Sequence, residues 1–142
     1  MVDLLCELFE YYNHGQSVSR EDVRQHLSEN LSGENSTSKL LVAHTEKDAV
    51  MGYAANSIFH SLDDPRPQYN KQCLLKELYV RNAYRNRDIG AQIMKRVIQV
   101  AREEGCARID WNVKTHNYSG IRFYKRFRAE HVEDRASYRI YL

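Results

Sequence analysis

The chain has 142 residues, of which 42% are apolar and 11% aromatic, and 21 Lys+Arg against 19 Asp+Glu give a formal charge of +2. That length suits a single domain, and the apolar share with so little net charge excludes a disordered chain. No apolar run approaches the ~20 residues of a membrane helix, the small charge makes no general case for nucleic acid, and Met1-Val2-Asp3-Leu4-Leu5 lacks the basic start and cleavage pattern of a signal peptide.

Residues 2–12 carry Leu5, Leu8, Phe9 and Tyr12 at helical spacing, and Gly15 follows as a stop. Ser19 with Asp22 three residues later resembles a capping box, opening a second helix through Val23, Leu27 and Leu31. Loops are expected at 32–38 and at 61–68, the latter holding both prolines, Pro65 and Pro67. Between them, 40–45 and 49–59 read as two strands joined by a turn at 46–48. Residues 73–80, rich in Leu, Tyr and Val, form a third strand.

A long helix follows. Gly90, Ile93, Met94, Val97, Ile98 and Ala101 share one face, with Gln92, Lys95, Arg96, Gln99 and Arg102 on the other, and Gly105 ends it. Residues 107–113 form a strand, and Gly120, Phe123, Tyr124 and Phe127 share the face of a short helix. Residues 137–142 alternate Tyr138, Ile140 and Leu142 and predict a final strand. The order ααβββαβαβ implies an α/β fold, a mixed central sheet flanked by helices, in one domain over 1–142. The strands at 73–80 and 107–113 should be parallel, because a helical crossover joins them.

Cys6, Cys73 and Cys106 are odd in number and far apart, with no CxxC or Cys/His cluster. They read as reduced, mostly buried thiols of a cytoplasmic protein, without a disulfide framework or a metal.

Chemistry concentrates where the third strand meets the long helix. Helix N-termini expose unpaired amides and a partial positive charge, so they favour phosphate. Arg81, Arg85 and Arg87 add mobile cations there, and Gly90 permits close approach to the backbone. A pyrophosphate site and an unliganded basic turn are both compatible with these features alone.

Here the chain resembles a family. Residues 78–91, Leu-Tyr-Val-Arg-Asn-Ala-Tyr-Arg-Asn-Arg-Asp-Ile-Gly-Ala, resemble the (Gln/Arg)-x-x-Gly-x-(Gly/Ala) acyl-CoA motif of the GNAT N-acetyltransferases. Residues 117–125, Asn-Tyr-Ser-Gly-Ile-Arg-Phe-Tyr-Lys, resemble the family's Asn-x-x-Ala-x-x-Phe-Tyr helix. Among GNAT members, 109–112 and 123–126 look most like the diamine (spermidine/spermine-type) acetyltransferase branch.

The resemblance implies splayed parallel strands with acetyl-CoA as co-substrate in the gap. Leu78, Tyr79 and Val80 would pair with the pantetheine. Arg85, Asn86, Arg87, Asp88, Ile89, Gly90 and Ala91 would hold the pyrophosphate, and Asn117 and Tyr124 would complete the cofactor site. The amine of a small molecule, such as a diamine or polyamine, would attack the thioester directly.

Tyr124 matches the family's general acid, although by itself it reads as a core aromatic. Glu77 matches the second acid of the diamine branch, and Lys76 stands at the usual Glu position. As strand neighbours, Lys76 and Glu77 are expected on opposite faces. Glu7, Glu10, Glu21 and Asp22 are further acids that would either attract a cation or form an ordinary solvated helix face.

Three departures stand out. Asp88 replaces a family Gly and, as an N-cap, would compete for the phosphate's amides. Arg128 replaces a common turn Gly. The chain also begins at the first helix, where family members have a preceding strand, so that strand is either missing or truncated away. A homodimer is what the resemblance implies, with no membrane partner. Arg122, Lys125, Arg126 and Arg128 cluster near aromatics, but without a base-reading pattern they argue against nucleic acid. A peptide acceptor and a non-catalytic acyl-CoA-binding module remain alternatives.

Overall fold

The computed structural model of the chain describes residues 1–32, 36–62 and 64–142. The loops expected at 32–38 and 61–68 therefore lie in part outside the described residues. Two compact units are present, Met1–Trp111 and Asn112–Leu142.

The first unit opens with α1 (Val2–Tyr12) and α2 (Arg20–His26), the latter running into a π-helical turn over Leu27–Leu31. Past α1, His14 and Gly15 both have positive φ. The amide of Gly15 donates to the carbonyl of Glu10, which closes the helix end. At α2 the capping expectation holds: Asp22 N–H donates to Ser19 Oγ at 3.0 Å. Strands β1 (Lys39–His44), β2 (Val50–His60) and β3 (Lys71–Val80) follow, then α3 (Ile89–Glu103) and β4 (Arg108–Asp110). The strands lie in the order β1-β2-β3-β4. β1–β2 and β2–β3 pair antiparallel, and β3–β4 pair parallel as the crossover requires.

A β-bulge in β3 shapes the sheet. Ala55 pairs with Glu77 while Asn56 pairs with Leu75, so Lys76 is an extra residue without a partner on β2. Strict alternation would set Leu75 and Glu77 on one face. The bulge instead sends Leu75 to the α3 side with Asn56 and leaves Glu77 beside Ala55 on the α1 side.

The two faces carry separate cores. On one, α3 packs on β1, β2 and β3 and buries Ala91, Ile93, Met94, Val97 and Ala101. Ile98, expected on that face, is half-buried, and Ala91 takes the place expected of Gly90. Gly52 allows this close packing, because a Cβ there would lie 2.6 Å from the Tyr79 carbonyl oxygen and 3.2 Å from Ile93 Cδ1. On the other face, Leu4 is fully buried against Tyr53, Ala55 and Tyr79. Burial of that leucine is worth about 1.5–3 kcal/mol.

β4 is shorter than the expected 107–113, because ladder pairing with β3 runs only from Gln72/Arg108 to Leu74/Asp110. The three cysteines are free, and burial pushes the thiols of Cys73 and Cys106 up. Among the described residues, no helix is long and apolar enough to cross a membrane.

The second unit contains α4 (Tyr118–Lys125), in which Phe123 stacks edge-on against Tyr124 and Phe127 at centroid distances of 5.1 and 5.3 Å. The strand expected at 137–142 is absent. Tyr138, Ile140, Tyr141 and Leu142 are instead almost fully exposed. Alternation encodes a strand only where a neighbouring edge supplies backbone partners, and this segment has no ladder partner among the described residues.

Candidate functional site

β3 extends from Leu75 to Val80 beyond its last pairing with β4. Along this stretch the antiparallel ladder alternates which residues bond to β2. Arg81 N–H donates to Met51 O, so by that alternation the backbone of Tyr79 also turns to β2. The backbone groups of Leu78 and Val80 turn to the opposite side, the side on which β4 has ended. Among the described residues no strand pairs with this edge, where Arg85 Nε donates to the Val80 carbonyl, and the edge leads to the N-terminus of α3 through a 3-10 turn at Asn82–Tyr84. Within α3, Gln92 N–H bonds to Asp88 O at 3.0 Å. The amides of Ile89, Gly90 and Ala91 therefore have no acceptor within the helix and are available to an anion.

The four charged residues of this loop differ in role. Arg81 is not a mobile cation, contrary to expectation. Its Nε lies 3.0 and 3.1 Å from the two Glu7 carboxylate oxygens, its Nη2 also reaches Glu7, and its Nη1 donates to Val50 O. Arg81 thus fastens α1 to the sheet, and Glu7 is not available as an acid for a substrate cation. Glu21 is likewise paired, to Arg24 at 3.3 Å.

Arg85 is exposed. It donates from Nε to Val80 O at 3.0 Å and lies over the Tyr79 ring at 5.5 Å. Its charge therefore sits at the strand edge, between Val80 and the α3 N-terminus. Arg87 lies over the Tyr84 ring at 6.0 Å.

Asp88 corrects a second expectation. It occupies the N-cap position of α3 but makes no side-chain cap bond. Its φ is +58° with ψ +7°, the left-handed conformation, and Asn86 before it has φ +59°. A glycine adopts that conformation without strain, which is the physical reason for a glycine at this point of the motif.

Glu77 lies on the α1 face of the sheet, and Tyr12 donates its hydroxyl to Glu77 Oε1 at 3.0 Å. Burial pushes the Tyr53 phenol up strongly, with the nearby Glu77 and Tyr12 adding to the effect. Lys76, on the bulge, is exposed and donates from Nζ to Ser38 Oγ at 3.0 Å. Lys76 is the extra residue of the bulge, so the plain alternation expected of Lys76 and Glu77 does not hold here.

In the second unit, Asn117 caps α4: its Oδ1 accepts from Gly120 N–H at 3.0 Å and from Ser119 Oγ at 3.1 Å. Asn117 thus has a structural role that the motif did not reveal. Tyr124 sits half-buried on α4 beside Phe123. Arg128 has φ +57°, so the turn position where a glycine was expected does adopt the left-handed conformation. Among the described residues no group of three or more His, Cys, Asp or Glu is arranged to hold a metal ion.

Sequence reading missed Tyr12 as the partner of Glu77 and Glu7 as the partner of Arg81. Tyr12 was visible on the apolar stripe of α1, but nothing in the sequence links it to β3.

Comparisons with known proteins agree with this fold. Residues 2–128 match the sequence pattern of the "Acetyltransferase (GNAT) family". The chain is 31% identical over 129 residues to a thialysine N-epsilon-acetyltransferase of Mus musculus, covering 82% of this chain and 70% of that protein. An integron cassette protein from the mobile metagenome of V. cholerae superposes with a TM-score of 0.87 at 31% identity, over 99% of this chain and 83% of that one. An aminoglycoside acetyltransferase from an uncultured soil metagenomic sample has the same fold, with a TM-score of 0.74 at 16% identity, over 99% and 87% of the two chains. A mixed four-stranded sheet flanked by helices, a match spanning residues 2–128 and the 31% identity to an acetyltransferase place this chain in the GNAT family, as an N-acetyltransferase.

Proposed function

We propose that the chain transfers an acetyl group from acetyl-CoA to the primary amine of a small molecule. The observation that carries this reading is the open edge of β3 at Leu78 and Val80, ending at the unpaired amides of α3. Acetyl-CoA needs an extended partner for its pantetheine and an anion site for its pyrophosphate, and these residues fit both needs. Leu78 and Val80 would pair with the pantetheine amides as an added strand does. The amides of Ile89, Gly90 and Ala91, with Arg85 and Arg87, would hold the pyrophosphate, and Asn86 and Asp88 shape the turn that presents them. Bound there, acetyl-CoA supplies an activated thioester.

Glu77 holds the substrate ammonium by position and charge, and the ammonium gives its proton to solvent before the attack. The amine lone pair forms the new N–C bond as the C–S bond breaks. The sulfur leaves with its electron pair, and Tyr124 gives it a proton.

The mouse relative, a thialysine N-epsilon-acetyltransferase, supports amines on an aliphatic chain as first acceptors to test, diamines and polyamines among them. Three free cysteines support a reducing compartment, the cytoplasm. The exposed Tyr138, Ile140, Tyr141 and Leu142 support a homodimer, since contiguous exposed apolar side chains mark an interface.

A screen of amines, amino acids and peptides with acetyl-CoA and free-thiol detection tests the reading. Turnover on small primary amines is expected. Turnover on peptides alone would replace it with the peptide reading. Acetyl-CoA binding without turnover on any acceptor would leave a non-catalytic binding module.

A further inference from the structure

Consecutive residues of a strand ordinarily point to opposite faces, and the bulge in β3 changes that for Lys76 and Glu77. Glu77 stands beside Ala55 on the α1 side, and Ala55 stands beside Leu40 of β1. Ser38 lies two residues before Leu40 and so shares its face. Ser57 Oγ donates to Thr37 O at 2.8 Å, which holds this stretch along β2. Lys76 Nζ reaches Ser38 Oγ at 3.0 Å. The side chain of Lys76 therefore lies on the α1 side as well, and it passes over β2 toward β1.

Two opposite charges thus share one face of the sheet, and they diverge. Glu77 accepts from the Tyr12 hydroxyl of α1 at 3.0 Å, whereas Lys76 extends to Ser38. Among the described residues Lys76 joins no ion pair, with Glu77 or with any other acid. Its ammonium has three N–H donors, and Ser38 takes one. β1 and β3 lie two strand spacings apart, about 10 Å. Above this part of the sheet is a cavity of about 550 Å³ between α1, α2 and the strands, lined by Leu40 and Ala55 from the sheet and by Asn13, Asp22 and His26 from the helical side.

We infer that Lys76 sets the specificity for the acceptor: it takes an anionic group at the far end of the substrate, so the preferred acceptor is an ω-amino carboxylate, its ammonium at Glu77 and its carboxylate at Lys76. The inference rests on the acetyl-transfer reading and narrows its substrate. A carboxylate at Lys76 gains a charge-assisted hydrogen bond. A diamine of the same length would bring a second ammonium there, and like charges repel. Lys76 is exposed, so salt screens both effects.

The probes are 6-aminohexanoate, 1,6-diaminohexane and hexylamine, which share a chain length and differ in the far group. Each is compared for kcat/KM with acetyl-CoA at low and at raised salt, in the parent chain and in Lys76→Gln and Lys76→Glu, and for direct binding by calorimetry in the presence of CoA. The parent should favour 6-aminohexanoate over 1,6-diaminohexane about tenfold at low salt, mainly through KM, with hexylamine between them. That ratio should shrink as salt is raised. Lys76→Gln should remove the preference and Lys76→Glu reverse it, with circular dichroism unchanged. Equal or better turnover of 1,6-diaminohexane by the parent overturns the inference and gives the far end to an acid such as Asp22. A ratio that Lys76→Glu leaves unaltered also overturns it. If no amine is acetylated, the acetyl-transfer reading fails by itself. Calorimetry then decides the role of Lys76: 6-aminohexanoate binding lost in Lys76→Glu supports it, and binding retained there, or none to the parent chain, overturns it.

Discussion

Asp88 links backbone conformation to ligand charge, and two substitutions separate these effects. Its φ of +58° places an L-residue in the left-handed region, which costs ~1–2 kcal/mol. Asp88→Gly removes that strain but adds ~0.5–1 kcal/mol of unfolded-chain freedom. The net gain is about 0.5 kcal/mol, or a Tm increase of about 2 °C for a chain of this size. Asp88→Asn keeps a residue that tolerates the left-handed region and should leave Tm nearly unchanged. Both substitutions delete a negative charge at the proposed pyrophosphate site. Two unit charges ~4 Å apart at an effective dielectric of ~20 repel by about 4 kcal/mol. Asp88 is exposed, so solvent and salt reduce this to about 1 kcal/mol, roughly fivefold in Kd. Calorimetry with acetyl-CoA in low salt should give fivefold tighter binding for both variants, with the advantage shrinking as salt is raised. Unchanged Kd in both at low salt would refute the placement of pyrophosphate at the α3 N-terminus. A gain in Asp88→Gly alone would mean that backbone strain, not charge, governs the loop.

Three further outcomes are expected. Tyr124→Phe keeps the ring beside Phe123 and removes the proton donor, so kcat should fall by ~10²–10⁴-fold with acetyl-CoA affinity kept; steady-state turnover within about threefold of the parent, with chemistry rate-limiting, rejects Tyr124 as the acid. Arg85→Ala should weaken acetyl-CoA binding about tenfold or more, since a charge-assisted contact is worth ~1.5–3 kcal/mol; unaltered affinity would reduce Arg85 to a prop for the Val80 carbonyl. Glu104 is held below the ordinary carboxylate range by hydrogen bonds from Lys39 and then Lys71. Its contribution is therefore full above the unfolded carboxyl's titration and is lost as pH falls through the depressed folded value. Tm curves of the parent and Glu104→Gln should converge on acidification below about pH 4.5, and parallel curves from pH 3 to 7 would count against the pairing.

Local pattern sufficed for what depends on local pattern. The apolar face of α3 was legible because 3.6-residue periodicity repeats over four turns, and Gly105 marks its end with φ +73°. The parallel pairing of β3 and β4 followed from one helix joining two strands. The loop before α3 was legible for the same reason, since a helix start is written in a few consecutive residues.

Other features depend on contacts between residues far apart in sequence. Arg81 looked free until the fold brought Glu7, 74 residues away, against it. Lys76 and Glu77 look like ordinary strand neighbours, and only the register against Ala55 and Asn56 reveals a bulge that keeps Glu77 on the α1 face. The stripe Leu5, Leu8, Phe9 and Tyr12 states that α1 has an apolar side, but not whether that side meets a side chain or a cavity. The alternation of Tyr138, Ile140 and Leu142 likewise states a strand's composition without supplying the edge it needs. Periodicity determines which side of an element avoids water, and tertiary packing alone decides what, if anything, covers it.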